Sequence, residues 1–188
     1  MIKLLAFIMI ANAYKLITNS FIERNPFYIY NNITPLHNDC IVSAINTFNN
    51  ACSNIGVRVN TGGYITQQQI IDNPQYNTIT YGSAPGQVAY TTLQGILMSD
   101  GNFLIKNIDI FINKEHVTNK IACYNMFLHE LGHAHGLMHN EIKGSIMNAS
   151  IAVDNNFNTV SIVDGKPIVP LKYHIDDVYG IWAYSQKN

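Results

Sequence analysis

Residues 129–139 read HELGHAHGLMH. On an α-helix four residues advance about 400°, so His129 and His133 fall on one face, roughly 6 Å apart along the axis. Two imidazoles at that spacing can reach a single tetrahedral zinc ion. Glu130 is rotated about 100° from His129, which lets it meet a water at the metal without being a ligand. Gly136 allows a positive φ and a sharp turn, and the chain can then bring His139 back as a third ligand. The fourth position stays open, which marks a catalytic rather than a structural zinc. Five fixed positions make a chance match on the order of one in 10⁵ for a chain of this length. His135 lies about 240° round the helix from His129 and reads as a packing or surface residue. His37, His116 and His174 have no ligand spacing and default to surface or core.

Working outward, the helix that carries this stretch is expected to start at a cap on Thr118 or Asn119. Ile121, Tyr124, Leu128 and Leu131 mark one side of it, and Gly136 ends it. Upstream, residues 108–112 (IDIFI) read as a strongly apolar strand. Asp100, Gly101 and Asn102 form a turn, and 87–92 (QVAYTT) a strand with exposed polar positions. Residues 77–81 (NTITY), 55–59 (IGVRV) and 26–31 (PFYIYN) read as further strands, with a chain break at Gly62 and Gly63 and a loop at 82–86. A helix opens at Pro35 and runs to about Cys52, its apolar face made by Ile41, Ala44, Ile45 and Phe48. Downstream, 160–163 and 167–169 flank Asp164, Gly165 and Lys166 as a hairpin, within a segment 149–172 expected to wall the site. A last helix covers about 175–184, capped near Asp176. This order predicts an α/β (α+β) fold, a twisted mixed sheet with two packed helices and a C-terminal helix.

The chain has 188 residues, 47% hydrophobic and 12% charged, with a formal net charge of -1. That fits one globular domain with a real core and gives no electrostatic reason to bind nucleic acid or an acidic membrane. Lys3, the apolar run 4–10 and the small-x-small triplet Ala11, Asn12, Ala13 read as a signal peptide over 1–13. The mature domain is then 14–188, starting at Tyr14, and no stretch is long and apolar enough for a membrane anchor. Export permits disulfides. The cysteines number three, and Cys40 and Cys52 lie roughly 18 Å apart on one helix, too far to bridge. Either can pair with Cys123, or all can be buried thiols. Asn32 and Asn148 open glycosylation sequons.

The extended motif resembles that of the metzincin zinc endopeptidases. Ser145, Ile146, Met147 and Asn148 are similar to their Met-turn, whose methionine forms a floor beneath the zinc. The segment around Asp176, Asp177, Gly180 and Ile181 resembles the last helix of the matrixin branch. The resemblance implies that one Asp of the pair Asp176 and Asp177 braces the Met-turn and the other can meet the mature N-terminus. An Asp pair at a helix start is also favoured by the helix dipole alone. Residues 86–90 and 107–113 resemble the edge strand and its inner neighbour, which implies that Val88, Ala89 and Tyr90 help to bind substrate.

Departures from the family pattern accompany the likeness. The residue after the third histidine is Asn140 where matrixins usually have Ser. No Cys-bearing latency peptide is evident, and 82–107 offer only Asp100 where the family has an Asp- and His-rich metal loop. One catalytic zinc is therefore expected, with no second zinc and no calcium predicted. The implied function is a secreted, monomeric zinc endopeptidase acting on protein or peptide substrates, with Glu130 as general base. Two readings compete. One is a secreted zinc-binding interaction module that cuts nothing, against which an intact Glu130 argues. The other is a closed structural metal site, for which Cys123 lies on the wrong side of the helix.

Overall fold

The computed structural model describes residues 20–22, 25–30, 33–83, 88–115, 117, 120–142, 145–148, 162–163, 166–167 and 171–186. Residues 1–13, expected as a signal peptide, the loop expected around Pro85, His116, the expected caps Thr118 and Asn119, and Asn32 lie outside them. So does most of the segment expected to wall the site.

Strands β1 (Ser20–Ile22), β2 (Phe27–Tyr30), β3 (Thr61–Ile65), β4 (Asn77–Gly82), β5 (Ala89–Leu97) and β6 (Phe103–Asn113) form one sheet. Its path runs β3, β2, β4, β6, all parallel, and β5 pairs antiparallel with β6. Because β5 takes one edge of β6, the parallel β1 and β4 share the other, β1 at Phe103 and β4 from Asp109 onward. Helix α1 (Pro35–Ala51) is the crossover that lets β2 and β3 run parallel. Its first turn has Pro35 at the position where a missing N–H costs nothing, and the Thr34 hydroxyl caps the N–H of His37.

Helix α3 (Lys120–Ala134) packs with α1 on the sheet. It is enclosed on nearly every side, with Met126, Phe127, Leu128 and Leu131 at most 2% exposed. Ile121 and Tyr124, expected on its buried stripe, are only half-buried. A helix that is apolar all round is a core helix, and its stripe carries little information.

Three expectations need correction. Residues 55–59 are not a strand. Ser53–Ile55 is a single 3-10 turn, Gly56 has φ 71°, and the strand follows at Thr61–Ile65. Val57 and Val59 do alternate into the core, but the Asn49 amide satisfies both the N–H and the carbonyl of Val59. A side chain thus replaces the neighbouring strand. Gly62 and Gly63 do not break the chain but lie inside β3, where the register slips by one residue. The third concerns the last helix, α4 (Ile175–Ser185). Its cap is His174, not Asp176, and Asp177 returns the bond to the His174 N–H. A short helix α2 (Gln67–Asp72), with a Thr66 and Gln69 capping box, was not expected. The strand expected over 87–92 is β5, which continues to Leu97. The hairpin is present as β7 (Ile162–Val163) and β8 (Lys166–Pro167).

Cys40 and Cys123 form a disulfide, which ties α1 to α3 across a sequence separation of 83, and Cys52 is a buried free thiol. Closing a loop of that length restricts the unfolded chain by about 4.5 kcal/mol. Replacing both Cys40 and Cys123 with Ala should shift the denaturant midpoint down by a corresponding amount. An unchanged midpoint would mean that the bridge contributes nothing. Among the described residues no helix is long and apolar enough to cross a membrane.

Candidate metal centre

Helix α3 delivers His129 and His133 to one face, and the turn after it returns His139. Gly136 makes that turn with φ 86°, and a Cβ there would fall within the ring of Tyr184 on α4. Conformation and space therefore both require glycine. The Nε2 of His139 lies 3.1 Å from that of His129 and 3.2 Å from that of His133. All three histidines offer ligand atoms within 4.8 Å of one another. A tetrahedral site with Zn–N near 2.0 Å has N···N edges of about 3.3 Å, so the spacing fits a zinc ion.

The tautomers argue the same way. His129 Nδ1 is 2.6 Å from the Ile146 carbonyl, and His133 Nδ1 is 2.7 Å from the Leu137 carbonyl. A carbonyl only accepts, so each Nδ1 carries the proton and each Nε2 presents a bare lone pair. His139 can donate to one of these at most. Convergent lone pairs of this kind call for a cation. Burial, helped by the neighbouring rings, drives His129 down to about 4, and burial also lowers His133. Both are neutral at pH 7, as metal ligands must be. His135 takes no part. Its Nδ1 donates to the Leu131 carbonyl and its ring packs on Phe48. His37 is a buried core histidine bonded to the Val117 carbonyl.

Glu130 is 4% exposed. Burial pushes its carboxyl up to about 7, opposed by a hydrogen bond from Thr91. The Thr91 hydroxyl on β5 donates to Glu130 Oε2 at 2.7 Å and lies 3.1 Å from the Glu130 carbonyl. Thr91 was not anticipated, because a lone threonine in a strand carries no motif.

Met147, fully buried, packs against Gly132, where a Cβ would collide with its sulfur. The loop that carries it is held by a polar knot. Ser145 Oγ donates to the Asp177 carboxylate and accepts from the Met147 N–H at 2.9 Å. Asn140, next to His139, donates to Asp177 at 2.8 Å, and its own N–H bonds the Met147 carbonyl. Asp177 has no solvent exposure. Burial raises its carboxyl, while the bonds from His174, Ser145 and Asn140 pull it down. Asp177 thus joins the last helix to the loop beneath the histidines, with Ser145 as intermediary. Asp176 lies outside the knot, 3.3 Å from His174 Nδ1.

The profile described as Matrixin matches residues 65–172, more than half of the chain. The chain belongs to the matrixin family. No curated protein matches its sequence. The mixed sheet and packed helices agree with the matrixin fold, and the three histidines fit the family's zinc motif. Membership supports zinc metallopeptidase chemistry in general terms, and with it protein or peptide substrates. In this matrixin Asn140 stands at the position after the third histidine, and its amide is a working part of the knot. Strand β5 pairs only with β6, and its outer edge has no strand partner among the described residues. Ala89 and Tyr90 belong to it. Val88 precedes it, its carbonyl bonded to the Asn113 N–H.

Proposed function

We propose that this matrixin is a secreted zinc endopeptidase in which His129, His133 and His139 hold the metal and Glu130 is the general base. The carrying observation is the convergence of imidazole lone pairs beside a buried carboxylate. Bound zinc supplies Lewis-acid polarisation of the scissile carbonyl and an acidified water. Glu130 would take the water proton and pass it to the leaving nitrogen, the task of a positioned carboxylate base. The peptide lies extended along the open edge of β5 at Val88, Ala89 and Tyr90, gaining main-chain hydrogen bonds. Gly136, Met147 and Asp177 hold the ligands in place, and Asp176 remains the partner for the mature N-terminus. One zinc per chain and a monomer complete the reading. The direct test is metal titration of the chelated chain. Binding that saturates at one zinc equivalent and disappears when the histidines are replaced supports the proposal. Saturation unaffected by those replacements contradicts it.

Secretion rests on the residues 1–13 pattern, and the disulfide supports it, since such bonds persist in oxidising compartments. Exported protein should show by mass spectrometry an N-terminus at Tyr14. Mature protein that keeps Met1 would refute this.

A further inference from the structure

We infer that Thr91 is a positioning residue for Glu130, one that fixes which carboxyl oxygen handles the proton; the inference rests on the reading of Glu130 as the base.

The hydroxyl meets Oε2 at 2.7 Å. No buried side-chain oxygen or nitrogen lacks a partner among the described residues. Oε1, which has no bond of its own there, is therefore the oxygen that keeps contact with solvent, and it is the one assigned to the proton. A buried carboxylate with only one oxygen pinned cannot rotate to exchange its two oxygens without losing that bond.

The pin itself is stiff. Threonine is β-branched, with restricted χ1, and Thr91 pairs in register with Ile110, a fully buried residue of β6. The same hydroxyl lies 3.1 Å from the Glu130 main-chain carbonyl. Its single proton thus has two acceptors on one residue. When the carboxylate is charged, the proton faces Oε2. When the carboxyl is neutral and a weaker acceptor, the proton can turn to the carbonyl, so the hydroxyl is satisfied in both states. The base can then change protonation without leaving a buried polar group unpaired.

The placement also links base to substrate strand. Thr91 follows directly on Ala89 and Tyr90, so the strand proposed to hold the peptide is also the strand that aims the carboxylate.

The test compares zinc-loaded parent, Thr91→Val, Thr91→Ser and Glu130→Ala on an unfolded protein substrate. Losing one hydrogen bond to a charged group should cost Thr91→Val roughly 10- to 100-fold in kcat, with KM and zinc content at parent values. Thr91→Ser, which keeps the hydroxyl, should recover most of the loss. A Thr91→Val variant that turns over like the parent while Glu130→Ala is inactive overturns the inference and leaves the base reading standing. So does a rise in KM at constant kcat, or a loss of zinc. If the valine variant fails to fold, Thr91→Ala removes the hydroxyl without adding bulk and gives the same comparison.

A second readout needs no catalysis. Crystal structures should show the Glu130 carboxylate in one orientation in the parent and in Thr91→Ser, with Oε2 on the hydroxyl, and turned or split between two orientations in Thr91→Val. An unchanged single orientation in Thr91→Val overturns the pinning whether or not the chain cleaves anything.

Discussion

Glu130→Ala lowers turnover of an unfolded protein substrate by about 10²–10⁴-fold, the usual contribution of a positioned general base, and leaves zinc content close to that of the parent. The separation follows from the geometry. Glu130 is not among the residues whose ligand atoms cluster, and the imidazoles keep their carbonyl partners Ile146 and Leu137 when it is removed. The fold should also tolerate the change. Glu130 carries a raised carboxyl, so its folded pKa lies above its unfolded one. Such a group contributes stability below its unfolded pKa and loses it as pH rises through the folded value of about 7. At and above neutral pH the alanine variant should therefore lose no electrostatic stability, and its denaturant midpoint, measured beside its turnover, separates lost catalysis from unfolding. Turnover at the parent rate would remove the hydrolase mechanism and favour a binding module.

His139→Ala has the opposite signature, with loss of metal and activity together. His139 is exposed, so its removal opens no large cavity and the fold should survive. Replacing even an indirect partner of a metal ligand typically costs 10- to 100-fold in affinity. Removing one of three ligands should cost at least about 100-fold by the same reasoning. His129→Ala is a poorer probe. It leaves the Ile146 carbonyl without its imidazole partner inside the core, which mixes lost stability with lost metal. Zinc per chain and cleavage should be measured on the same preparation. Full zinc content in His139→Ala would exclude that residue as a ligand.

The histidine motif was legible because helix geometry alone sets the spacing of His129 and His133, and Gly136 announces the turn that returns His139. Strands rich in isoleucine and the crossover helix at Pro35 were legible for the same reason, since their periodicity is local. What the sequence hid depends on distant partners. The Asn49 amide serves the backbone of Val59, so an alternating run that reads as a strand is not one. The cap on α4 is His174, which becomes a capping residue only because Asp177 completes the box and is itself held by Ser145 and Asn140. The carbonyls that set the histidine tautomers are main-chain atoms and leave no mark on residue type. Thr91 reaches Glu130 across 39 positions, a contact that follows from the register of β5 on β6.

Peptide-bond hydrolysis by this chain should depend on one zinc held by His129, His133 and His139. Cleavage of an unfolded protein substrate should be followed in the parent chain before chelation, after chelation and after adding back one equivalent of zinc, with the product termini identified by mass spectrometry. Internal cleavage should stop on chelation and return with the single equivalent. Cleavage that persists in the fully chelated protein, or none from a folded chain carrying its zinc, would contradict this reading.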